Sequence, residues 1–409
     1  MVCHLKKSIY GLKQAPRIWF NHFKSALTLF GFVQSEVDPC LFFYIKNNIV
    51  IYGLLWVDDL ILLSNDQEVR SSLITFLRDK YKLTDKGNAE WLLGMAISRD
   101  RTKRTITLSQ ELYVKNLLTR FSSYMDKSNA RSFDIPGLDE ISSFSADQGP
   151  SPGTPEHERM IPLRHVYMQI VGALVWLSSC TFPHLCVVTN ILSRFSINPR
   201  ECHLAALIRV LLYLRKHPDH TLTLGGMGSN AEVISIITDA SHEDGPSISG
   251  VMIIMGTALI DWICRRQHTT SRSSLESEAK ANAEGAQDGI HKRELAKEFG
   301  VSITTTNFYT DSDSSIKLHK DAYACKKSKH IIRMISMLRH WILTKVYAIQ
   351  FIAGTKNYAD LLTKPLALDP YKKFRDAVLT ANIVLPDSSR TSDSYGSHIS
   401  AFFSYLTTD

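Results

Sequence analysis

At 409 residues, 44% apolar and 21% charged, the chain holds enough apolar material for two or three domains, each with its own core. A formal net charge of +7 admits a polyanionic partner without requiring one. Seven cysteines without a Cys-x-x-Cys pair argue against a disulfide scaffold, and Asp58 and Asp59 break the longest apolar run, Ile49 to Leu63, which excludes a bilayer span. Met1–Tyr10 has lysines among apolar residues and no continuous apolar core, so no cleavable signal peptide is expected. Cys180, His184 and Cys186, and the pairs Cys202–His203 and Cys264–His268, lack paired zinc-ligand spacing and read as ordinary buried side chains.

In chain order, Ala15–Pro16 predicts a helix start, and Trp19, Phe20, Phe23, Leu27 and Phe30 recur at helical spacing up to Gly31. The apolar runs Cys40–Ile45 and Ile49–Val57, separated by Lys46–Asn47–Asn48, predict a hairpin. A further strand, Leu60–Leu63, puts Asp58 and Asp59 at the tip of a second strand–turn–strand unit. Its bulky flanks suggest a buried turn, although an exposed acidic turn is the plain alternative. Two adjacent carboxylates there can hold a divalent cation and a nucleotide triphosphate. Residues 136–162 are rich in Pro, Gly, Ser and acids and read as a linker, and residues 163–229 as a helical connection.

The segment 230–370 predicts three strands (Val233–Thr238, Ser249–Met255, Ala258–Cys264), a helix from Ser274 to Phe299, and then alternating strands and helices. An apolar β-branched run leads straight into Asp239, where an unpaired charge is costly. Glu278 borders the weakly apolar face marked by Leu275, Ala279, Asn282, Ala286 and Ile290, whereas Glu276, Lys280 and Glu284 read as a solvated charge ladder. Asp311 ends a strand, with Asp313 placed to cap the next helix; Asp360 follows Asn357 in a helix's first turn, where the dipole favours an ionised carboxylate. Gathered at one point, Asp239, Glu278, Asp311 and Asp360 make a two-metal phosphodiester-cutting site. The basic residues Arg265, Arg266, His268, Arg272, Lys326, Lys327, Lys329 and His330 flank the acids and can grip phosphates or serve as solvated charges. Residues 371–409 form a tail of unassigned role, expected to be partly disordered.

Leu5–Lys6–Lys7–Ser8–Ile9–Tyr10–Gly11–Leu12–Lys13–Gln14–Ala15–Pro16–Arg17 and Trp56–Val57–Asp58–Asp59 resemble the reverse transcriptase of Ty1/copia-type retrotransposons. Thr238–Asp239–Ala240–Ser241, Glu276–Ser277–Glu278–Ala279, Tyr309–Thr310–Asp311–Ser312 and Asn357 to Pro365 resemble the ribonuclease H domain of the same polyproteins. The resemblance implies an α/β (α+β) chain: a reverse-transcriptase palm at 1–135 and a ribonuclease H-like mixed sheet at 230–370. It implies metal-binding, catalytic roles for Asp58, Asp59, Asp239, Glu278, Asp311 and Asp360, with two Mg²⁺ ions in the nuclease site. Lys13, Gln14 and Arg17 join Arg265, Arg266, Arg272, Lys326, Lys327 and Lys329 as nucleic-acid contacts. Trp56 stands where the family usually has tyrosine, and Ala279 where a bulkier residue is usual. The family's third polymerase aspartate lies upstream of the first motif, so the chain is expected to be a truncated fragment without DNA synthesis of its own. The implied activity is hydrolysis of RNA in RNA–DNA hybrids, the partners hybrid and template–primer nucleic acid together with other Pol or capsid components. The implied setting is intracellular, in cytoplasmic particles and the nucleus. A catalytically decayed nucleic-acid-binding remnant is the rival reading. An integrase-type transferase fits less well, because such enzymes end their acid set in Glu and this chain ends it in Asp360.

Overall fold

Pro16 fits the first turn of α1 (Ala15–Phe30), where a missing N–H costs nothing, and Gly31 closes the helix at φ 117°, its N–H bonded to the Leu27 and Thr28 carbonyls. The computed structural model describes residues 8–126, 132–137, 141, 143–144, 149–226, 233–242, 245–303, 305–320 and 332–386. These fall into two compact units, one holding 8–90 and 294–301, the other 91–293 and 302–386.

In the first unit, β1 (Val33–Gln34), β2 (Leu41–Lys46), β3 (Ile49–Trp56) and β4 (Asp59–Ser64) form an antiparallel sheet in sequence order. Asn47 and Asn48, at φ 52° and 64°, make the tight turn between β2 and β3 that the sequence predicts. α2 (Gln67–Lys80) is capped by Asp66, whose carboxylate accepts the Val69 N–H. Phe23, Leu27, Phe42, Ile51, Leu55, Leu73 and Leu77 form the core between α1, α2 and the sheet.

The second unit contains two sheets. β5 (Trp91–Leu92), β6 (Met95–Asp100), β7 (Thr105–Ser109) and β8 (Thr221–Gly225) pair antiparallel in that order. Around a shared core lie α3 (Glu111–Arg120), α4 (Ser122–Asp126), α5 (Pro155–Met160), α6 (Arg164–Cys180), α7 (Cys186–Ser193) and α8 (Glu201–Lys216). Two expectations are corrected. The connection is not wholly helical, because Thr221–Gly225 pairs with β7 as an edge strand; four residues of alternating Thr and Leu before a glycine are too few to stand out beside long helices. The described part of 136–162 is packed rather than a free linker. Ile141 and Met160 are 3% and 2% exposed, and Thr154 caps α5. Single apolar anchors leave no periodicity to read.

The other sheet has the order β11-β10-β9-β12-β13. β9 (Ile234–Ala240), β10 (Ile248–Met255) and β11 (Ala258–Arg266) run antiparallel, while β12 (Thr306–Thr310) lies parallel to β9 and to β13 (Tyr347–Phe351). α9 (Ser274–Glu298) connects the antiparallel part to β12. α10 (Asp313–Lys320) and α11 (Ile332–Leu343) connect β12 to β13. After β13 come a five-residue 3₁₀ turn, Tyr358–Leu362, and α12 (Leu368–Leu379). Among the described residues no helix is long and apolar enough to cross a membrane.

Candidate functional site

β9 is buried on both faces, which is why its apolar run does not alternate, and Asp239 near its end is only 3% exposed. α9 lies close against this strand because its facing residues are small. A Cβ on Gly285 would come within 2.7 Å of Thr238 Cγ2. Asn282, fully buried, receives the Thr238 hydroxyl and donates to Ser315 Oγ at 2.7 Å, tying α9 to β9 and α10. This fixes Glu278 beside Asp239, with Oε1 accepting the Ala240 N–H at 3.3 Å while Oε2 is buried and has no partner.

Asp311 directly follows β12, which pairs with β9, so strand order carries it to the same end of the sheet. One carboxylate oxygen each from Asp239, Glu278 and Asp311 lies within 4.8 Å of the others. Asp360 comes from the turn Tyr358–Leu362, where Asn357 accepts the Ala359 N–H at 3.2 Å. It is 8% exposed and sits beside Asp239, outside the three-acid group, with the Lys364 ammonium 2.8 Å from Asp360 and 3.9 Å from Asp239. Thr363 donates its hydroxyl to Asp239. Thr363 and Lys364 have no role in the sequence reading. Their signal is spacing, since they stand three and four residues after Asp360 and so return to its side of the turn.

Burial, then the charges of Asp239 and Asp311, push the Glu278 carboxyl up to about 9. Burial and Asp239 raise Asp360 to about 7, against the pull of Lys364, and burial and Asp239 also raise Asp311. The expected helix-end preference for an ionised Asp360 is therefore overruled: a five-residue 3₁₀ turn has little dipole, and desolvation outweighs it. Glu276, Lys280 and Glu284 are not a solvated ladder either. Glu276 is 7% exposed and pairs with Lys280 at 3.0 Å, its other oxygen accepting the Arg272 N–H, because the start of α9 is folded under by residues 267–273.

Asp58 and Asp59 stand together at the tip of the β3–β4 hairpin, as expected, but the turn is exposed rather than buried. Trp56 and Val57 are 55% and 63% exposed, since residues flanking a two-residue turn have no further strand pair to pack on. Tyr10 donates to Asp58 at 2.9 Å, and the Trp19 indole donates to the Val57 carbonyl at 2.8 Å. Lys13, Gln14 and Arg17 are exposed at the start of α1. Arg265 and Arg266 end β11 opposite Ser249 and Ile248 of β10, one strand away from the Asp239 end of β9, with Arg265 paired to Glu284 at 2.5 Å; Arg266, His268 and Arg272 are exposed. Lys326, Lys327, Lys329 and His330 lie outside the described residues.

Three antiparallel strands, two parallel additions and an acidic cluster at one end of the central strands define an α/β fold of the ribonuclease H kind. Residues 1–136 match the family described as reverse transcriptase (RNA-dependent DNA polymerase). The chain is 30% identical over 384 residues to the retrovirus-related Pol polyprotein from transposon TNT 1-94 of Nicotiana tabacum, covering 92% of this chain and 28% of that one. It is 28% identical to the Pol polyprotein from transposon RE1 of Arabidopsis thaliana, covering 92% of this chain and 25% of the relative. The chain thus spans about a quarter of the length of these relatives. A crystal structure of LC11-RNase H1 in complex with RNA/DNA hybrid aligns with a TM-score of 0.26 and 18% identity over 32% of this chain and 93% of that one. The fold assignment rests on strand order and not on that superposition. Over nine-tenths of its length the chain is similar to Pol polyproteins of Ty1/copia-type transposons, and its first third matches the reverse transcriptase family.

Proposed function

We propose that residues 230–370 are a ribonuclease H domain that hydrolyses RNA in RNA–DNA hybrids, using Mg²⁺ held by Asp239, Glu278, Asp311 and Asp360. The observation that carries this reading is the approach of three carboxylates from β9, α9 and the end of β12 to within 4.8 Å, with the buried Glu278 Oε2 left without a partner. An all-oxygen, anionic donor set suits a hard divalent cation, and an orphaned buried carboxylate oxygen is costly unless a proton or a cation meets it.

The chemistry that Mg²⁺ supplies when bound is acidification of an attacking water and stabilisation of charge on the departing 3′ oxygen. The chain's part is placement. The Ala240 N–H holds one oxygen of Glu278 and turns the other inward, and Thr363 fixes the rotation of Asp239. Arg266 and Arg272 supply exposed positive charge for backbone phosphates, and the RNA strand is distinguished by its 2′-OH and by the groove shape of the hybrid. In residues 1–135, Asp58 and Asp59 are proposed as carboxylates that hold a cation with a nucleotide triphosphate, and Lys13, Gln14 and Arg17 as contacts to template–primer. Hybrid and template–primer are the proposed partners, and other Pol or capsid components are proposed with them on the resemblance to Pol polyproteins.

The test is cleavage of a labelled RNA–DNA hybrid by the full chain in Mg²⁺, compared with Asp239→Asn. Cutting that disappears in the variant supports the reading. Salt-sensitive hybrid binding without cutting in either protein would overturn it in favour of a decayed binding remnant.

A further inference from the structure

Lys364 places an ammonium group among the acids that the proposed site needs for a cation. Its Nζ is 2.8 Å from Asp360 Oδ1 and 3.9 Å from Asp239 Oδ2. The main chain beneath it is fixed, with the Lys364 N–H bonded to the Asp360 carbonyl at 3.2 Å and the preceding Thr363 hydroxyl bonded to Asp239. The side chain is not fixed in the same way: it is 47% exposed, whereas the side chains of Asp239 and Asp360 are 4% and 11% exposed. A long, flexible stem on an anchored backbone can turn its charge outward without disturbing the turn that carries it.

One ammonium cannot satisfy four carboxylates. It meets Asp360 and Asp239 and leaves Glu278 Oε2 without a partner. A divalent ion held by Asp239 with its neighbouring acids would compete for the carboxylate that Lys364 faces, and two cations a few ångströms apart in a half-buried site repel strongly.

We propose that Lys364 is a displaceable internal counter-ion. In the metal-free protein it holds the Tyr358–Leu362 turn against β9; cation binding drives it out toward solvent, so this one side chain sets how tightly the acids bind metal. Lys364 is a positioning residue in this account and no step of bond cleavage passes through it. The inference rests on reading the acids as a cation site. The displaced ammonium remains tethered at the mouth of that site.

The experiment is calorimetric titration of the full chain with Mn²⁺ at pH 8 and low salt, for wild type, Lys364→Met and Lys364→Arg, with thermal unfolding of each in chelator. Lys364→Met is expected to bind Mn²⁺ about tenfold more tightly. Its metal-free unfolding midpoint should fall below that of wild type, and the gap should close when Mn²⁺ saturates. Lys364→Arg, which keeps the charge, should behave as wild type in chelator. Equal Mn²⁺ affinity in wild type and Lys364→Met overturns the inference while leaving the cation site intact. A wild-type protein that takes up no Mn²⁺ overturns the site reading itself, and the inference with it.

Discussion

Gly250 lies directly under Thr363: a Cβ added to Gly250 would meet Thr363 Cγ2 at 2.6 Å and the Ala359 carbonyl at 3.0 Å. Gly250 is also the cross-strand partner of Asp239. The turn carrying Asp360, Thr363 and Lys364 can settle on the sheet because β10 has no side chain at this place. Gly250→Ala should therefore lift the turn, separating Asp360 from Asp239 and breaking the Thr363–Asp239 bond. Backbone cannot yield as a side-chain tip does, so a loss of about 1–3 kcal/mol is expected. Hybrid cleavage should fall at least tenfold, with weaker Mn²⁺ binding. Wild-type activity in Gly250→Ala would show that the turn is not seated as described.

Glu278 gives the metal-free protein a characteristic pH dependence. Its folded-state carboxyl is raised to about 9 by burial and by Asp239 and Asp311, whereas an unfolded chain titrates it near the ordinary glutamate value. Between those values the folded state holds a proton that the unfolded state has lost, so stability falls as pH rises. From pH 7 to 9 the loss should be roughly 2 kcal/mol. Glu278→Gln, unable to ionise, should show a flatter profile in chelator, and saturating Mn²⁺ should flatten the wild type. Parallel pH profiles of the two proteins in denaturant melts would rule this out.

Much of this site can be read from the sequence because its acids sit at the ends of strongly patterned elements. Asp239 terminates a β-branched run, Asp311 terminates another, and Asn357 announces the turn holding Asp360. Periodicity also puts Glu278 forward as a candidate, and Glu278 lies within 4.8 Å of Asp239 and Asp311, although Glu276 is equally buried. What periodicity cannot convey is burial that arises from distant segments: it assigns Glu276 to solvent because nothing local covers it, and the cover comes from the loop folded back before α9. The same limit hides the strand Thr221–Gly225, whose partner β7 is more than a hundred residues earlier. The tip of the β3–β4 hairpin errs the other way, since bulky apolar residues beside a turn need not be buried when the sheet ends there.

Val57 adopts φ 53° at that tip, in a region that β-branched residues rarely occupy, and its carbonyl is held by the Trp19 indole. Strain of this kind costs about 1–3 kcal/mol. Val57→Gly relieves it without removing the backbone carbonyl, so the variant should unfold at higher denaturant by about 1 kcal/mol after the entropy of glycine is charged against it. If the positive φ instead serves to aim Asp58, whose carboxylate accepts from Tyr10, the more stable variant should bind Mn²⁺ with a nucleotide triphosphate less well. A destabilised Val57→Gly would mean that valine is at ease there.

A second titrating group lies away from the acids, where His184, His217 and His220 cluster with Tyr213, Tyr371 and Arg375. His184 is 2% exposed with neither ring nitrogen bonded, and burial followed by the charges of His220, Arg375 and His217 depresses it well below the usual histidine value. Burial and Arg375 lower His220 to about 4; Asp219 and Asp376 act in the opposite direction and do not prevail. An unfolded chain binds these protons near pH 6.5 while the folded one refuses them, so stability falls as pH drops below 6.5. For His220 the loss at pH 5 relative to pH 7 is roughly 2 kcal/mol, opposed over the same range by the gains from Glu278 and Asp360. The two are separated by variant: between pH 7 and pH 5 His220→Gln should gain roughly 2 kcal/mol relative to wild type, and Glu278→Gln should lose a similar amount relative to it. Identical unfolding midpoints for wild type and His220→Gln at pH 5 and at pH 7 would remove the histidine cluster as the source of acid sensitivity.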